Sequence, residues 1–472
     1  MLFNEKVLCG LGRGIAKTGR LNPEGVVQAI LNLVRFRTLV DAMGVRHVQV
    51  VATAAVREAT NGAEFVREVE RRTGFKVTVL SGEDEGRISA LGLLASIPDA
   101  EGVLGDLGGG SLELVNLSGT KIGKHLTLPI GPLRLIDTSG GSVAEAREQI
   151  DAALRGVFWL PQLEGRSFYA VGGAWRSIAR VLMDYEQYPL HIIHHYTVDA
   201  EHALSFLGLV ARMGKEQLRV LPTVSRRRLE TLPWAALILE RLIDIGKPSD
   251  LIFAASGLRE GCVFARLPRR LQKQDPLLTA CTDIAGQRRF QLSDEELFTF
   301  IGPVLRVSML DRDGQEKQDR LVRAACMLSD IAWSEHPDYR AEQAYWRVLR
   351  LPIVGITHAE RAFLALAIAA RYGAPADEMI DRAASALLNP SQIRLAAQLG
   401  AALRLSYTVS GGAPGVLARS TLELKSDGRL ALTVPDDGSV IVADAVSRRL
   451  ETLARSLNAV SILLPEETAA VA

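Results

Sequence analysis

The sequence predicts a mixed α/β amino-terminal part, then an all-helical region, then a small α+β appendage. Three observations carry this reading. Strands and helices alternate from about residue 22 to residue 254. From about Arg269 to Leu405 helix follows helix. Residues 406–472 return to short alternating strands around one helix. At 472 residues the chain exceeds what one hydrophobic core normally holds.

The elements follow in order. Asn22-Pro23-Glu24 opens a helix, with Asn at the N-cap and Pro at the first helical position, running to about Met43. A strand over Val48–Thr53, a helix over Gly62–Thr73 and a strand over Lys76–Leu80 come next. Ser81 caps a further helix, with acids in its first turn and apolar positions Ile88, Leu91, Leu94 and Ala95 on one face. A new unit starts near residue 100: strands over Gly102–Asp106, Ser111–Asn116 and Ile122–Leu128, a helix over Val143–Leu154 and a strand over Ser167–Val171. Helices over Trp175–Asp184, Ala200–Met213 and Leu232–Ile245 precede a strand over Asp250–Ala254. The helical region reads Asp294–Leu305, Gln318–Ile331, Tyr339–Leu349, Thr357–Arg371 and Pro375–Leu388. The tail offers strands over Thr421–Lys425, Ala431–Val434, Ser439–Asp444 and Ala459–Leu464, with a helix over Ala445–Ser456. These divide as 1–99, 100–268, 269–405 and 406–472.

Composition narrows the function. Fifty-five basic and 54 acidic side chains give a formal net charge of +1, so no global field attracts a polyanion and any grip must be local. Neither nucleic acid nor a membrane is expected as a partner. No apolar run approaches the ~20 residues that cross a bilayer, and Met1–Gly14 alternates too much for a signal peptide. Cys9, Cys262, Cys281 and Cys326 are scattered and read as reduced thiols of a cytoplasmic protein.

The most informative stretch is Asp106-Leu107-Gly108-Gly109-Gly110-Ser111-Leu112-Glu113. A carboxylate ends one strand, three glycines turn, and a hydroxyl starts the return strand. Glycines let backbone N–H groups converge on an oxyanion, and Ser111 adds a donor. Asp106 repels phosphate and suits Mg²⁺ or an oriented water. No G-K-[ST] follows, and the return segment alternates like a strand, so neither a Walker loop nor a dinucleotide turn fits. A strand–glycine–strand phosphate loop remains, with a plain glycine-rich hairpin as the alternative.

The surroundings carry a resemblance. Val51-Ala52-Thr53-Ala54-Ala55-Val56-Arg57-Glu58-Ala59-Thr60-Asn61, Ser81-Gly82-Glu83-Asp84-Glu85-Gly86-Arg87, the glycine hairpin, Val171-Gly172-Gly173-Ala174-Trp175-Arg176 and Ala255-Ser256-Gly257-Leu258-Arg259-Glu260-Gly261 stand in one order over residues 50–262. Together they resemble the exopolyphosphatase / guanosine-pentaphosphate phosphatase family of the actin–hexokinase superfamily. The resemblance implies two actin-like (ribonuclease H-like) α/β halves around a cleft, then a helical HD-like domain and a small α+β domain. It implies catalytic roles for Glu85 and Glu113, with Glu85 positioning the attacking water. It also implies phosphate contacts from Arg57, Gly108, Gly109, Gly110, Ser111, Gly172, Gly173, Ser256 and Gly257, with Mg²⁺ as cofactor near Asp106. Inorganic polyphosphate or pppGpp is the implied substrate and a homodimer the implied assembly.

Three further features stand beside it. The family opens with a D-x-G-S-N-S phosphate loop that this chain lacks, and Met1–Val7 resembles the family's third strand. The expectation is that either the start lies upstream or this form has impaired chemistry. Ser329-Asp330 stands where a working HD site needs adjacent His and Asp, so no metal is expected there, and His191, His194 and His195 read as surface or core. Ser225-Arg226-Arg227-Arg228 offers a track for a polyanion or a solvated face. Terminal phosphate release from polyphosphate leads. The same chemistry on pppGpp, or binding without turnover, are the other readings. A sugar or acetate kinase is disfavoured by the S-G-x-x-E-x-R helix start.

Overall fold

The computed structural model describes residues 3–221, 223, 228–286, 292–305, 312–374, 385–435 and 443–465. The chain forms two compact units, residues 1–272 and 273–472.

The first unit opens with a short helix α1 (Ile15–Thr18) and α2 (Pro23–Ala42). Asn22 holds the N-cap position of α2, but its amide donates to the Gly10 carbonyl (3.3 Å) and leaves the helix end uncapped. β1 (Val50–Ala52), α3 (Ala54–Glu58), α4 (Gly62–Thr73) and β2 (Val77–Val79) follow, with β1 and β2 paired in parallel, Val50 opposite Val77. Residues 3–10 have no regular structure, so the strand that the resemblance implies at Met1–Val7 is not formed across its described part. α5 (Gly82–Leu94) begins as read: the Ser81 hydroxyl accepts from the Asp84 N–H at 3.0 Å.

A six-stranded sheet dominates the unit. Its strands are β3 (Glu101–Leu107), β4 (Leu112–Ser118), β5 (Lys121–Leu128), β6 (Ser167–Val171), β7 (Tyr196–Asp199) and β8 (Asp250–Phe253), in the order β5-β4-β3-β6-β8-β7. β3, β6 and β8 run parallel, and the flanking pairs are antiparallel. The helices between them are α6 (Pro132–Thr138), α7 (Val143–Arg155), α8 (Gly173–Tyr185), α9 (Ala200–Arg212), α10 (Lys215–Arg219), α11 (Leu232–Gly246) and α12 (Leu258–Phe264). α1, α3, α6, α10, α12 and β7 are short elements absent from the sequence reading.

Period-two alternation sorts the side chains of this sheet. Val103, Leu112, Leu114 and Phe168 face the core made with α7, α8, α9 and α11. Leu104, Val115, Leu117 and Tyr169 face Ala90, Leu93 and Leu94 of α5. α5 lies close because Gly86 leaves room above Val115 and Glu113. It also meets α12 closely. A Cβ at Gly92 would collide with the Gly257 carbonyl, and one at Gly261 with the Ile88 carbonyl.

The second unit is mostly helical, with helices Pro276–Ala285, Asp294–Leu305, Arg312–Leu328, Arg340–Leu349, His358–Arg371 and Pro390–Ser410. Thr357 and Asn389 each cap a helix through a reciprocal box with Glu360 and Gln392. The helix Pro390–Ser410 was not read from the sequence, and most of the helix read over Pro375–Leu388 lies outside the described residues. β9 (Thr421–Leu424), β10 (Arg429–Val434) and β11 (Val460–Pro465) form a three-stranded sheet beside the helix Asp444–Ser456. The strand read over Ser439–Asp444 falls almost wholly outside the described residues. No helix among the described residues is long and apolar enough to cross a membrane.

Candidate active site

The alternation that buries Leu104 and Val115 under α5 also turns Asp106 and Glu113 to that face. They are register partners across β3 and β4. Two carboxyl groups directly opposed on one face of a sheet repel each other, an arrangement that packing alone disfavours. The third acid arrives from above. Glu85, in the first turn of α5, is 8% exposed, and Ser89 follows it by one helical turn and donates to Asp106 Oδ2.

Each acid has its own hydroxyl or guanidinium. Ser111 Oγ donates to Glu113 Oε1 at 2.7 Å. Arg57, from the end of α3, donates through Nη1 to Glu85 Oε2 at 2.9 Å and to the Leu80 carbonyl at 2.8 Å. Burial pushes Glu113, only 2% exposed, up to about 8, and the neighbouring Glu85 and Asp106 charges push the same way. Burial also raises Glu85, against the Arg57 and Thr53 hydrogen bonds that favour its ionised form. Asp106 is raised by burial too, against its Ser89 hydrogen bond. The three carboxyls therefore compete for protons, and Glu85, beside a cation, is best placed to stay charged.

Two adjoining cavities open onto this cluster, and both reach Thr53, Glu85 and Leu107. One, of about 490 Å³, is lined by the whole turn Gly108–Ser111 and by Pro132–Arg134 at the start of α6. The other, of about 710 Å³, is lined by Asp106, Gly172, Gly173 and a wall of cations: Lys6, Arg176, Arg180, Arg228 and Arg259. The cations crowd the amino-terminal end of α8, where the helix dipole is also positive. A Cβ at Gly173 would collide with the Arg228 guanidinium and stand 2.8 Å from Lys6 Nζ. Burial and then Arg228, Arg176, Arg180 and Arg259 bring Lys6 down to about 8. Burial lowers Arg176 and Arg228 as well, and Asp106 and Glu260 oppose the shift at Arg176. Glu5 and Glu260 also line this cavity, and Arg259 pairs with Glu260 at 2.6 Å, so the cations outnumber the acids there.

The structure thus brings together Glu85, Asp106, Gly108, Gly109, Gly110, Ser111, Gly172, Gly173 and Gly257 on the cleft. Gly172 has a left-handed φ of 116° and passes so near β3 that a Cβ would stand 2.5 Å from the Leu107 carbonyl. Three residues sit differently from the expectation. Arg57 engages Glu85 and the Leu80 carbonyl and is absent from the lining of both cavities. Glu113 lies beneath the turn, closed off by Ser111 and α5, and Ser256 is buried and absent from the lining of both cavities. Ser225, Arg226 and Arg227 lie outside the described residues. Arg228 does reach the cleft.

Sequence reasoning missed Ser89, Lys6 and the cationic roles of Arg176, Arg180 and Arg259. Ser89 falls four residues after Glu85, and Arg176 and Arg180 are one turn apart after a glycine turn, so helical spacing could have found them. Lys6 leaves no local signal. His194 is buried and its Nδ1 accepts the Ala255 N–H at 3.4 Å. Among the described residues no group of three or more His, Cys, Asp or Glu has the geometry of a metal site. A divalent cation would need phosphate oxygens and water to complete its shell, the usual manner of Mg²⁺, and the carboxylate of Asp106 is a suitable oxygen donor for it.

Comparison with known proteins agrees with this architecture. Residues 1–270 match the Ppx/GppA phosphatase family, and residues 277–461 match the carboxy-terminal exopolyphosphatase family. The chain belongs to the Ppx/GppA phosphatase family. Retrograde regulation protein 2 of Saccharomyces cerevisiae is 28% identical over 383 residues, covering 74% of this chain and 63% of that protein. The chain thus spans less than two thirds of the length of that curated relative. The crystal structure of an exopolyphosphatase from Cytophaga hutchinsonii shares the fold at 20% identity and a TM-score of 0.52, covering 56% of this chain and 88% of that one. A Ppx/GppA family member from Aquifex aeolicus is 27% identical with a TM-score of 0.46, covering 54% of this chain and 85% of that one.

Proposed function

We propose that the protein is an exopolyphosphatase, hydrolysing the terminal phosphoanhydride of inorganic polyphosphate. One observation carries the proposal: a buried carboxyl cluster and a cationic wall face each other across one cleft, with a glycine-rich turn between them. Phosphoryl transfer to water needs an oriented nucleophile and neutralised phosphate charge, and little covalent work from the protein.

In this reading the Gly108–Ser111 turn receives the terminal phosphate on backbone N–H groups, and the chain runs past Gly173 toward Lys6 and Arg228. Glu85, ionised beside Arg57, accepts the proton of the attacking water. Glu113, held neutral by burial, keeps a second negative charge away from the reacting phosphate and fixes Ser111 through their hydrogen bond. Mg²⁺, held by Asp106 together with substrate oxygens, would supply neutralisation of phosphate charge. The four cysteines are free, which suits a reducing, cytoplasmic setting.

The test compares phosphate release from long-chain polyphosphate and from pppGpp, for wild type and Glu85→Gln. Expected are turnover of polyphosphate and a fall of about 10²–10⁴-fold in kcat for the variant, with KM little changed. Preference for pppGpp moves the substrate to the guanosine nucleotide. Equal phosphate release by wild type and variant removes Glu85 from the chemistry. Tight polyphosphate binding without turnover in either makes the cleft a sensor.

A further inference from the structure

The second unit contains a separate concentration of positive charge that the cleft chemistry does not use. Arg404 lies on the helix Pro390–Ser410 and Arg449 on the helix Asp444–Ser456, and both line one cavity of about 260 Å³. Alanines make much of the remaining wall: Ala370, Ala374, Ala397 and Ala401. Small side chains on packed helices usually let backbones close together. Here they leave space that two arginine heads share. At ~30 Å³ per water the volume equals roughly nine waters, ample for a small oxyanion.

Among the described residues that line this cavity, Arg404 and Arg449 are the only charged ones. Elsewhere in the unit Arg320 pairs with Asp275, Arg323 with Glu295 and Arg312 with Glu316, while Arg340 and Arg347 donate to the backbone carbonyls of Glu335 and Ile331. Buried Arg361 donates to the carbonyls of Leu351 and Ile353. Among the described residues neither Arg404 nor Arg449 pairs with a carboxylate or donates a hydrogen bond. Arg404 is half-buried, its guanidinium lying against Gly373, where a Cβ would stand 2.5 Å from Nη1. Burial lowers its pKa, and so do the neighbouring Arg449 and Arg371. Arg371 adds a third charge, stacked 4.0 Å over Tyr407 and 4.5 Å over Tyr372. Thr452 and Ser456 also line the cavity, but each hydroxyl donates to a carbonyl of its own helix, so recognition rests on the two guanidinium groups.

Guanidinium forks match the tetrahedral oxygens of phosphate, and two of them on different helices match two linked phosphoryl groups. We propose that Arg404 and Arg449 form a binding site for a diphosphate group, separate from the cleft of the first unit. The group comes from an inorganic chain or from a nucleoside diphosphate. Occupation ties the helices carrying Arg404 and Arg449 together through the anion and offsets their repulsion. The site is independent of whether the cleft is catalytic.

The experiment is calorimetric titration of the full-length protein with inorganic pyrophosphate in EDTA. Wild type, the double variant Arg404→Gln/Arg449→Gln and the cleft variant Lys6→Ala/Arg228→Gln are compared. Loss of charge-assisted hydrogen bonds weakens binding by about tenfold or more per arginine. The double variant is expected to lose one class of pyrophosphate site that the cleft variant keeps. It is also expected to melt no lower than wild type in ligand-free buffer, because a repulsion has been removed. Identical stoichiometry and affinity in wild type and double variant overturn the proposal. If the double variant does not fold, Arg449→Lys keeps the charge and loses the fork. Weaker pyrophosphate binding at an unchanged melting temperature is then expected, and unchanged binding overturns the site. Competition by GDP for the same class admits nucleoside diphosphates, whereas no competition confines the site to inorganic chains; either result leaves the diphosphate assignment standing.

Discussion

Replacing Glu113 by Gln isolates the electrostatic cost of the carboxyl cluster. The side chain is 2% exposed, and its pKa rises from the ordinary 4.5 to about 8. The folded state therefore holds this proton more tightly than the unfolded chain. Stability is intact below about pH 4.5 and is lost progressively as pH climbs through about 8. At about 1.4 kcal/mol per pH unit, ionising Glu113 in place costs on the order of 5 kcal/mol, an upper figure because the three acids share the burden. Gln keeps an oxygen for the Ser111 hydroxyl and cannot ionise. In urea unfolding with EDTA present, wild type should lose stability between pH 5 and 8.5. Glu113→Gln should lose most of that slope and be the more stable protein at pH 8.5 by about 2–4 kcal/mol. Parallel curves for the two proteins would refute the reasoning, since the group would then be ionised or solvated in the folded state.

Other consequences can be measured alongside. Millimolar Mg²⁺ should restore stability at pH 8.5 to wild type and do so much less for Asp106→Asn, read by the same unfolding curves. Lys6 carries its charge below about 8 and loses it above, so KM for polyphosphate should rise as pH passes 8. Lys6→Arg should flatten that rise, and Lys6→Ala should raise KM at pH 7 by about tenfold. Gly92→Ala forces α5 away from the Gly257 carbonyl. It should cost about 1–3 kcal/mol by overpacking and lower kcat more than KM, as seen by melting and steady-state kinetics.

Much of this was legible in the chain. Gly62–Thr73, Ser167–Val171 and Asp294–Leu305 form as read, because helical or alternating apolar patterns fixed them locally. The Asp106–Glu113 hairpin was legible for the same reason, since three glycines between alternating segments leave few folds. What stayed hidden was set by distance. The Arg57–Glu85 pair joins residues 28 apart, and Lys6 meets Arg228 only in three dimensions. The resemblance implies a phosphate contact for Arg57; the folded chain also gives it the buried carboxylate of Glu85, a partner that no local pattern announces. The burial of Ser256 was likewise hidden, because a glycine turn read from sequence does not reveal what packs over it.

The placement of α5 has a mechanical consequence. It follows β2 in the chain, yet it rests on β4 and β5 and is fastened to α12 at Gly92 and Gly261. Glu85, Asp106 and the glycine turn therefore ride on one rigid platform, while Arg57 approaches from α3 on a different layer. If the two layers breathe, the distance from water-directing acid to phosphate seat stays constant, and only the arginine's hold on that acid lengthens. Opening the cleft would then admit substrate and loosen the proton acceptor in one movement, with the reacting geometry already set when the layers return.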